Sequence, residues 1–344
     1  MIHYTDLFNP DQLHDAINNK HITVREHPDL PLRILNYTPK AQYERAWNDC
    51  TRACRGLILN QDGEVVARPF AKFFNYGELD VDDVHFDLDA PVSVWDKLDG
   101  SLGVVYPTPD GPAVATRGSF TSDQAVWATG WLRSRMPDYR VRYGLTDLVE
   151  IIYPGNRIVV DYGGLEALIG LATIDNQTGG VFPPEWPGDI ACQFEADTLA
   201  EALQLPPRDN AEGIVIHDHA AGRLIKVKQD DYVRLHRIVT GWNDRTVWEW
   251  LRDGNDLTQI AQQVPDEFYE WVQATGQTLA GQHQTLVNEA NTAYQEAAQH
   301  SGGTRKDFAL AIKDHPLRAA LFMLADGKSI DLWAWDQIRP KGEK

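Results

Sequence analysis

The sequence is short of positive charge, and this shortage disfavours one broad class of protein. Its 344 residues carry 32 lysines and arginines against 50 acidic residues, which gives a net charge of −18. Proteins that coat nucleic acids are usually basic, because phosphate neutralisation dominates their affinity. A general nucleic-acid coat is therefore disfavoured, whereas an enzyme that holds a nucleic-acid end in one cleft needs only a local positive patch.

Cysteines and long apolar runs are also scarce. The three cysteines, Cys50, Cys54 and Cys192, form no CxxC pair, which favours a reduced, cytoplasmic protein. No segment approaches the roughly 18 consecutive apolar residues that a membrane span requires. Residues 1–15 lack the basic and apolar regions of a secretory signal. We therefore expect a cytoplasmic protein that has no membrane partner.

The sequence pattern changes along the chain from one typical of strands to one typical of helices. From about residue 20 to 235, short β-rich runs alternate with Gly, Pro, Asn and Asp, as expected for strands joined by turns. From about residue 240 onward the strand signals stop, and the spacing of apolar residues becomes helical. The pattern predicts an α+β domain over 1–238 and a small all-helical domain over 239–344. The predicted strands read RGLILN, VVARPF, VSVW, LGVVY, DLVEIIY, RIVVDY, EALIGLATI, EGIVI and RLIKVK.

One of only 11 lysines, Lys97, lies in the stretch VSVWDKLDGSLGVVY. It follows an apolar run that predicts a buried strand, and the DG after it predicts a turn that brings backbone close to a ligand. A lysine is a nucleophile only when it is neutral, and neighbouring cations with partial burial favour that form. In an extended strand Lys97 and Asp99 would project to one side. The alternative is an exposed lysine at a hairpin turn.

Charged companions in a fixed order favour the catalytic interpretation. Each lies at the end of a β-rich run or between apolar neighbours, where a side chain can reach a cleft. Lys226 and Lys228 are two residues apart in RLIKVK, so both project from one face of a strand. The whole series reads Arg55, Lys72, Lys97, Arg117, Glu150, Glu212, Lys226 and Lys228.

This series resembles the covalent nucleotidyltransferases, the superfamily of polynucleotide ligases and mRNA capping enzymes. KLDG is similar to its motif I, VEIIYP to motif III, GLEALIGLATID to motif IIIa, EGIVI to motif IV and IKVK to motif V. The stretches NYTPKAQYERAWNDCTRACRGLIL, RPFAKFFNYGE and PGNRIVVDY resemble the ATP-dependent RNA ligases typified by phage T4 RNA ligase 1. The match covers residues 35 to 235. It implies a nucleotidyltransferase domain built of antiparallel sheets, followed by a helical domain.

The resemblance implies a three-step reaction. Lys97 attacks the α-phosphate of ATP and keeps AMP as a lysyl phosphoramidate while pyrophosphate leaves. AMP then moves to an RNA 5′-phosphate, and an RNA 3′-hydroxyl displaces it to seal the strand. Phosphoryl transfer depends on positioning and charge stabilisation, so cations and Mg²⁺ or Mn²⁺ are expected around the α-phosphate. Repair of cleaved RNA such as tRNA is the expected setting.

The resemblance also implies roles for the companions. Lys226 and Lys228 contact the α-phosphate, and Arg55 and Lys72 contact the triphosphate, with Arg52 as the alternative if the register shifts. Glu150 and Glu212 bind the ribose or the metal, because carboxylates are hard oxygen ligands.

The remaining candidates are expected to border the nucleotide. Arg117 is a candidate ribose or phosphate contact. Asp99 and Gly100 are expected to shape the nucleotide-binding loop and to form hydrogen bonds with the nucleotide. Tyr37 and Phe73 either line the nucleotide cleft or simply pack.

Several other patterns carry less information. GKS at 327–329 lacks the glycine of a P-loop at position 322, which excludes an appended kinase of that type. IHDH at 216–219 is better explained by a hairpin turn than by a metal site. The tryptophans of the tail are expected to pack between helices rather than stack on RNA.

Two rival functions remain at this stage. The first rival is a DNA ligase or a capping enzyme. The sequence leaves no room for an OB-fold after motif V, and this disfavours capping enzymes and most DNA ligases. A non-catalytic module that binds RNA ends or nucleotides is the second rival.

Overall fold

A computed structural model describes residues 2–76, 86–229, 243–257, 266–301 and 304–340, with side chains omitted for 266–270. The chain forms two compact units, Met1–Val239 and Thr240–Lys344. Within the described residues, no helix is both long and apolar enough to cross a membrane. The predicted domain boundary at 238/239 lies outside the described residues.

The first sheet of the N-terminal unit is antiparallel and carries three helices. Asn9 caps the first helix by accepting a hydrogen bond from Asp11 N, and Pro10 occupies its first turn, where a missing N–H costs nothing. The strands follow the order β1 (Ile22–Glu26), β2 (Leu32–Tyr37), β3 (Arg55–Asn60) and β4 (Val65–Ala67). The helices are α1 (Pro10–Asn18), α2 (Pro39–Tyr43) and α3 (Asp49–Ala53).

The second sheet contributes to the main core, in which the buried side chains of Ile34, Val104 and Leu148 pack together. Ser122 caps the adjoining helix by accepting from Ala125 N. The sheet contains, in spatial order, β11 (Val181–Phe182), β10 (Ala167–Asp175), β9 (Leu145–Ile152), β7 (Ser101–Thr108) and β8 (Gly111–Thr116), and α4 (Asp123–Arg135) packs on β8.

The third sheet has one apolar face, formed by Val94, Ile216 and Ile225, that packs against α5 (Leu199–Leu203). All of its pairings are antiparallel except the last, where β14 and β5 pair in parallel over two residues. The spatial order is β12 (Gln193–Phe194), β6 (Val92–Lys97), β13 (Gly213–Asp218), β14 (Arg223–Lys228) and β5 (Phe74–Asn75).

Every assigned element in the described part of the C-terminal unit is a helix. Trp248 is 2% exposed and donates from Nε1 to the Trp335 carbonyl oxygen at 2.8 Å, so the predicted packing role is confirmed for these two tryptophans. The helices are α6 (Asp244–Arg252), α7 (Asp266–His300), α8 (Arg305–Ala311), α9 (Arg318–Ala325) and α10 (Asp331–Gln337). The chain is therefore α+β with antiparallel sheets and a helical C-terminal part, as the sequence predicts.

One predicted strand is wrong. The run RIVVDY, 157–162, forms no strand, and a short 3-10 turn at Pro154–Asn156 leads into an irregular loop. The amides of Val159 and Val160 donate to the Asp99 carboxylate at 2.8 and 2.7 Å instead of to a neighbouring strand. A tertiary partner has thus overridden the local β propensity of this apolar run.

Candidate active site

The register of the third sheet brings three lysines to one face. Gly213 in β13 lies opposite Lys97 in β6 on one side and opposite Lys228 in β14 on the other. Directly opposed residues project to the same face, and residues two apart share it. Lys226, opposite Val215, is therefore on that face as well. The predicted shared face of Lys226 and Lys228 is confirmed, and Lys97 joins it.

A single carboxylate oxygen lies between two of these lysines. Glu212 Oε1 is 2.5 Å from Lys97 Nζ and 2.7 Å from Lys228 Nζ. The Glu212 side chain is 4% exposed and that of Lys97 is 17% exposed. Charge-assisted contacts of this kind are strong when they are shielded from water. Lys97 is therefore a partly accessible amine held by a buried acid, not an exposed hairpin lysine.

Glu150 lies beside this group on the neighbouring sheet. It sits in β9 opposite Leu102 and Ile169 and is 8% exposed. Burial, together with the neighbouring acids Glu212 and Asp99, raises the pKa of Glu150 to about 8, although Lys97 opposes the shift. Desolvation of a carboxylate in a site crowded with acids favours the protonated form.

Gly100 makes the turn after KLD and fits tightly against the Glu150 strand. A β-carbon at this position would lie 2.6 Å from the Ile151 carbonyl oxygen and 3.1 Å from Glu150 Cγ. Only glycine allows the loop to approach β9 this closely. The loop-shaping role predicted for Gly100 has a direct steric basis.

Asp99 lies outside β6, so the prediction that Lys97 and Asp99 extend from one side of a strand is wrong. Strand β6 ends at Lys97. The Asp99 side chain is buried, and its carboxylate accepts from the amides of Val159 and Val160. Its own backbone N–H donates to the Tyr162 hydroxyl at 2.8 Å. Asp99 therefore ties the loop after Lys97 to the loop over 157–162.

The backbone of Arg117, in the turn after β8, approaches β3 beside Arg55. Gly56, with φ of +104°, follows Arg55, and a β-carbon there would lie 3.1 Å from the Arg117 carbonyl oxygen. Arg117 donates to the Tyr37 hydroxyl at 3.2 Å, and its guanidinium lies 5.0 Å from the Tyr37 ring centroid. Arg55 Nη1 is buried and makes no hydrogen bond within the described residues. A buried donor without a partner is costly unless a ligand supplies the acceptor.

The stretch from Lys72 to Phe74 connects these arginines to the lysines. Arg55 lies 5.2 Å from the Phe73 ring centroid, and Lys226 Nζ lies at the same distance. Lys72 is 6% exposed, and its backbone N–H donates to the Arg52 carbonyl oxygen at 2.8 Å. Phe73 thus packs between two cations and borders the site. Arg52 lies over Phe74 at 5.4 Å.

The donor set suits a divalent hard cation only in part. Glu150 and Glu212 both act on Lys97, and two carboxylates with water and phosphate oxygens are a common environment for Mg²⁺. Across the described ranges, no group of three or more His, Cys, Asp or Glu residues is arranged to hold a metal. The rings of His217 and His219 lie 4.6 Å apart and tilted by 56° on the β13–β14 hairpin, and no third ligand joins them within the described residues.

Sequence patterns missed three residues that shape the site. Tyr162 supports the backbone after Lys97. Arg208 donates to Asp96, next to Lys97, at 2.7 Å and to the Gly213 carbonyl oxygen at 2.8 Å. Trp47 lies over Lys72. Each acts across a long stretch of sequence, so no local pattern could have identified it.

Comparison with known proteins shows that the chain is similar to RNA ligases. The RNA ligase family model of T4 RNA ligase 1 type matches residues 53–197. The chain is 23% identical to the "RNA ligase" of Rhodothermus phage RM378, over 94% of this chain and 91% of the phage protein. It is 26% identical to the "Putative bifunctional polynucleotide kinase/RNA ligase" of Autographa californica nuclear polyhedrosis virus, over 69% of this chain.

The chain spans 38% of the length of that viral relative. Among solved structures, an archaeal ATP-dependent RNA ligase is similar with a TM-score of 0.45 and 14% identity, over 93% of this chain and 80% of that one. The family model and both sequence relatives agree on one family. Over residues 53–197 the chain is similar to the RNA ligase family typified by phage T4 RNA ligase 1.

Proposed function

We propose that this protein is an ATP-dependent RNA ligase that joins RNA 5′-phosphate and 3′-hydroxyl ends. The observation that carries the proposal is the shared Glu212 oxygen between Lys97 and Lys228. It combines a candidate nucleophile, a proton acceptor and a phosphate-binding cation on one face of a sheet. Sealing of cleaved RNA such as tRNA, in the cytoplasm, is the setting that we propose.

In the first step Lys97 Nζ bonds to the α-phosphorus of ATP, and the bond from that phosphorus to the β-phosphate bridging oxygen breaks. Pyrophosphate leaves. The lysine must give up a proton, and the Glu212 carboxylate lies within hydrogen-bond distance to accept it. Lys226 and Lys228 would balance the charge that develops on the phosphoryl oxygens.

In the second step an oxygen of the RNA 5′-phosphate attacks the same phosphorus, and the bond to Lys97 Nζ breaks. In the third step the RNA 3′-hydroxyl attacks the activated 5′-phosphorus, and AMP leaves. Arg55, Lys72 and Arg117 are proposed to hold the triphosphate and ribose, since all three border the site. Asp99 and Gly100 are proposed to fix the loop that borders the nucleotide.

Glu150 and Glu212 are the residues that would hold a divalent metal. Mg²⁺ or Mn²⁺, when bound, would neutralise phosphate charge and polarise the phosphoryl group. Both carboxylates approach Lys97, so they also set the charge around the amine.

The test is incubation with ATP labelled at the α-phosphate, with Mg²⁺ or Mn²⁺, followed by denaturing electrophoresis. We expect an acid-labile labelled band that is absent from Lys97→Ala. Lys40→Ala is the matched control, because Lys40 is an exposed lysine paired with Glu44, and it should label normally. Labelling of Lys97→Ala, or no labelling of folded wild type with either metal, would overturn the proposal.

Substrates separate the rival functions. 5′-Phosphorylated RNA and DNA of one sequence, each with ATP or GTP, distinguish an RNA ligase from a DNA ligase or a capping-type enzyme. ATP binding without labelling would identify a non-catalytic binding module instead.

A further inference from the structure

The ammonium of Lys72 lies over three aromatic rings. Its Nζ is 5.5 Å from the centroid of Tyr37 and 5.4 Å from that of Trp47. The third ring, Phe74, lies at 5.3 Å. All three distances are within the roughly 6 Å at which a cation is attracted to the face of a ring. Aromatic cages of this kind hold ammonium groups, and here a residue of the chain itself is enclosed.

Trp47 is the central ring of this cage. It contacts Tyr37 edge-on at 5.1 Å with an interplanar angle of 89°. It contacts Phe74 in the same manner at 5.7 Å and 76°. Such perpendicular pairs are favourable arrangements, and they fix the three faces that surround the ammonium. Tyr37 and Phe74 are 2% and 9% exposed, so the cage is rigidly packed on two sides.

Cations are crowded around the cage. Arg52 lies over Phe74 at 5.4 Å, and Arg117 lies over Tyr37 at 5.0 Å. The ring faces carry partial negative charge, which allows several cations to remain close together in a partly desolvated space. A lysine stem has many rotamers, and fixing one of them before a ligand binds reduces the entropy lost on binding.

We propose that Trp47 is a positioning residue whose indole, with Tyr37 and Phe74, holds the Lys72 ammonium in place for the β- and γ-phosphates of ATP. This inference rests on the proposed function. It assigns Trp47 to the steps that involve triphosphate or pyrophosphate, and to no other step. Transfer of AMP from Lys97 to RNA involves neither group, so that step is an internal control.

The first experiment compares Trp47→Leu with Trp47→Phe. Phenylalanine keeps an aromatic face, whereas leucine keeps only apolar bulk. Tripolyphosphate affinity is measured by isothermal titration calorimetry, which requires no catalysis. We expect about a 10-fold weaker affinity in Trp47→Leu and a much smaller loss in Trp47→Phe. Trp127→Leu, which removes a tryptophan stacked on Tyr153, should bind as wild type does.

The second experiment separates the reaction steps. Trp47→Leu should raise the ATP concentration needed for half-maximal lysyl-AMP formation, and the pyrophosphate concentration needed to reverse it. The maximal rate, and AMP transfer from preformed lysyl-AMP to 5′-phosphorylated RNA, should remain as in wild type. A variant that is merely unstable would lose all of these activities together, and its melting temperature would show the damage.

A double-mutant cycle tests whether Trp47 influences tripolyphosphate binding through Lys72. If Trp47 acts through Lys72, then Trp47→Leu should weaken tripolyphosphate binding in wild type but not in Lys72→Met. Equal losses in Trp47→Phe and Trp47→Leu, additive losses in the cycle, or unchanged affinity would each overturn the inference. Failure of wild type to form lysyl-AMP would instead overturn the proposed function, while the calorimetric comparison would still decide the role of Trp47.

Discussion

Lys97 Nζ and Glu212 Oε1 are 2.5 Å apart, although Lys97 ends β6 and Glu212 lies just before β13. Glu212 contacts Lys228 through the same oxygen. A carboxamide in its place would keep the size of the side chain but would neither neutralise two ammonium groups nor accept a proton. We expect Glu212→Gln to slow lysyl-AMP formation by roughly 10²- to 10⁴-fold.

The measurement is single-turnover labelling by ATP that carries a labelled α-phosphate. Glu201→Gln, on a different part of the same unit, is a control of identical chemistry and should react normally. A Glu212→Gln rate close to that of wild type would show that this carboxylate takes no part in activating the amine.

Glu150 should make stability depend on pH. Its pKa is about 8 in the folded chain against an ordinary value of 4.5. Between these two values the folded state retains a proton that the unfolded state releases, so the free energy of unfolding falls as pH rises. Glu150→Gln lacks this titration. The melting temperature of Glu150→Gln, relative to that of wild type, should therefore rise as the pH increases from about 4.5 to about 8.

Thermal unfolding is followed at several pH values in buffer that contains a chelator, so that metal binding does not contribute. A constant difference in melting temperature between Glu150→Gln and wild type across this pH range would contradict the raised pKa of Glu150. The Lys97 labelling assay on the same samples separates stability from activity.

Gly100 should tolerate no β-carbon. In Gly100→Ala the new methyl group would meet the Ile151 carbonyl oxygen at 2.6 Å, so either the loop or β9 must shift. We expect a loss of about 1–3 kcal/mol in the free energy of unfolding and impaired labelling of Lys97. Urea denaturation measures the first effect, and labelling measures the second.

Gly130→Ala is the matched control for that change. Gly130 lies in α4, and a β-carbon there meets no atom within 4 Å. Alanine in a helix interior should therefore add roughly 0.5–1 kcal/mol to stability. If Gly100→Ala and Gly130→Ala change the free energy of unfolding to a similar extent, the close approach to β9 is not the reason that position 100 requires glycine.

Arg55 should lower the stability of the ligand-free protein while it strengthens phosphate binding. Its Nη1 is buried without a hydrogen-bond partner in the described residues, beside the ring of Phe73. Arg55→Met removes that unsatisfied donor and keeps much of the apolar stem. We expect the free energy of unfolding without ligand to rise by about 1 kcal/mol, while tripolyphosphate affinity falls. A parallel loss of both quantities would indicate that the guanidinium is a structural group.

The sequence predicted the elements of this site well, because each motif carries a local signal. The apolar run before Lys97, the alternation in RLIKVK and the glycine after Glu212 mark strands and their ends. The spacing of Lys226 and Lys228 was sufficient to place both on one face. The order of the motifs then pointed to a family without any knowledge of distances.

Contacts between distant segments could not be predicted in the same way. RIVVDY has the composition of a strand, but Asp99 binds its amides and keeps the segment irregular. Trp47 and Lys72 meet only after the chain folds, and nothing in the residues around either one indicates this contact.

The pairing of Gly213 with both Lys97 and Lys228 also identifies where the chain can be engineered. The backbone ladder of β6, β13 and β14 fixes the spacing of these lysines, and the hairpin that joins β13 to β14 closes at the far end, between Asp218 and Arg223. Lengthening that turn leaves the ladder in register. A fluorophore or peptide tag inserted at 220–222 should therefore leave the distance between Lys97 and Lys228 unchanged.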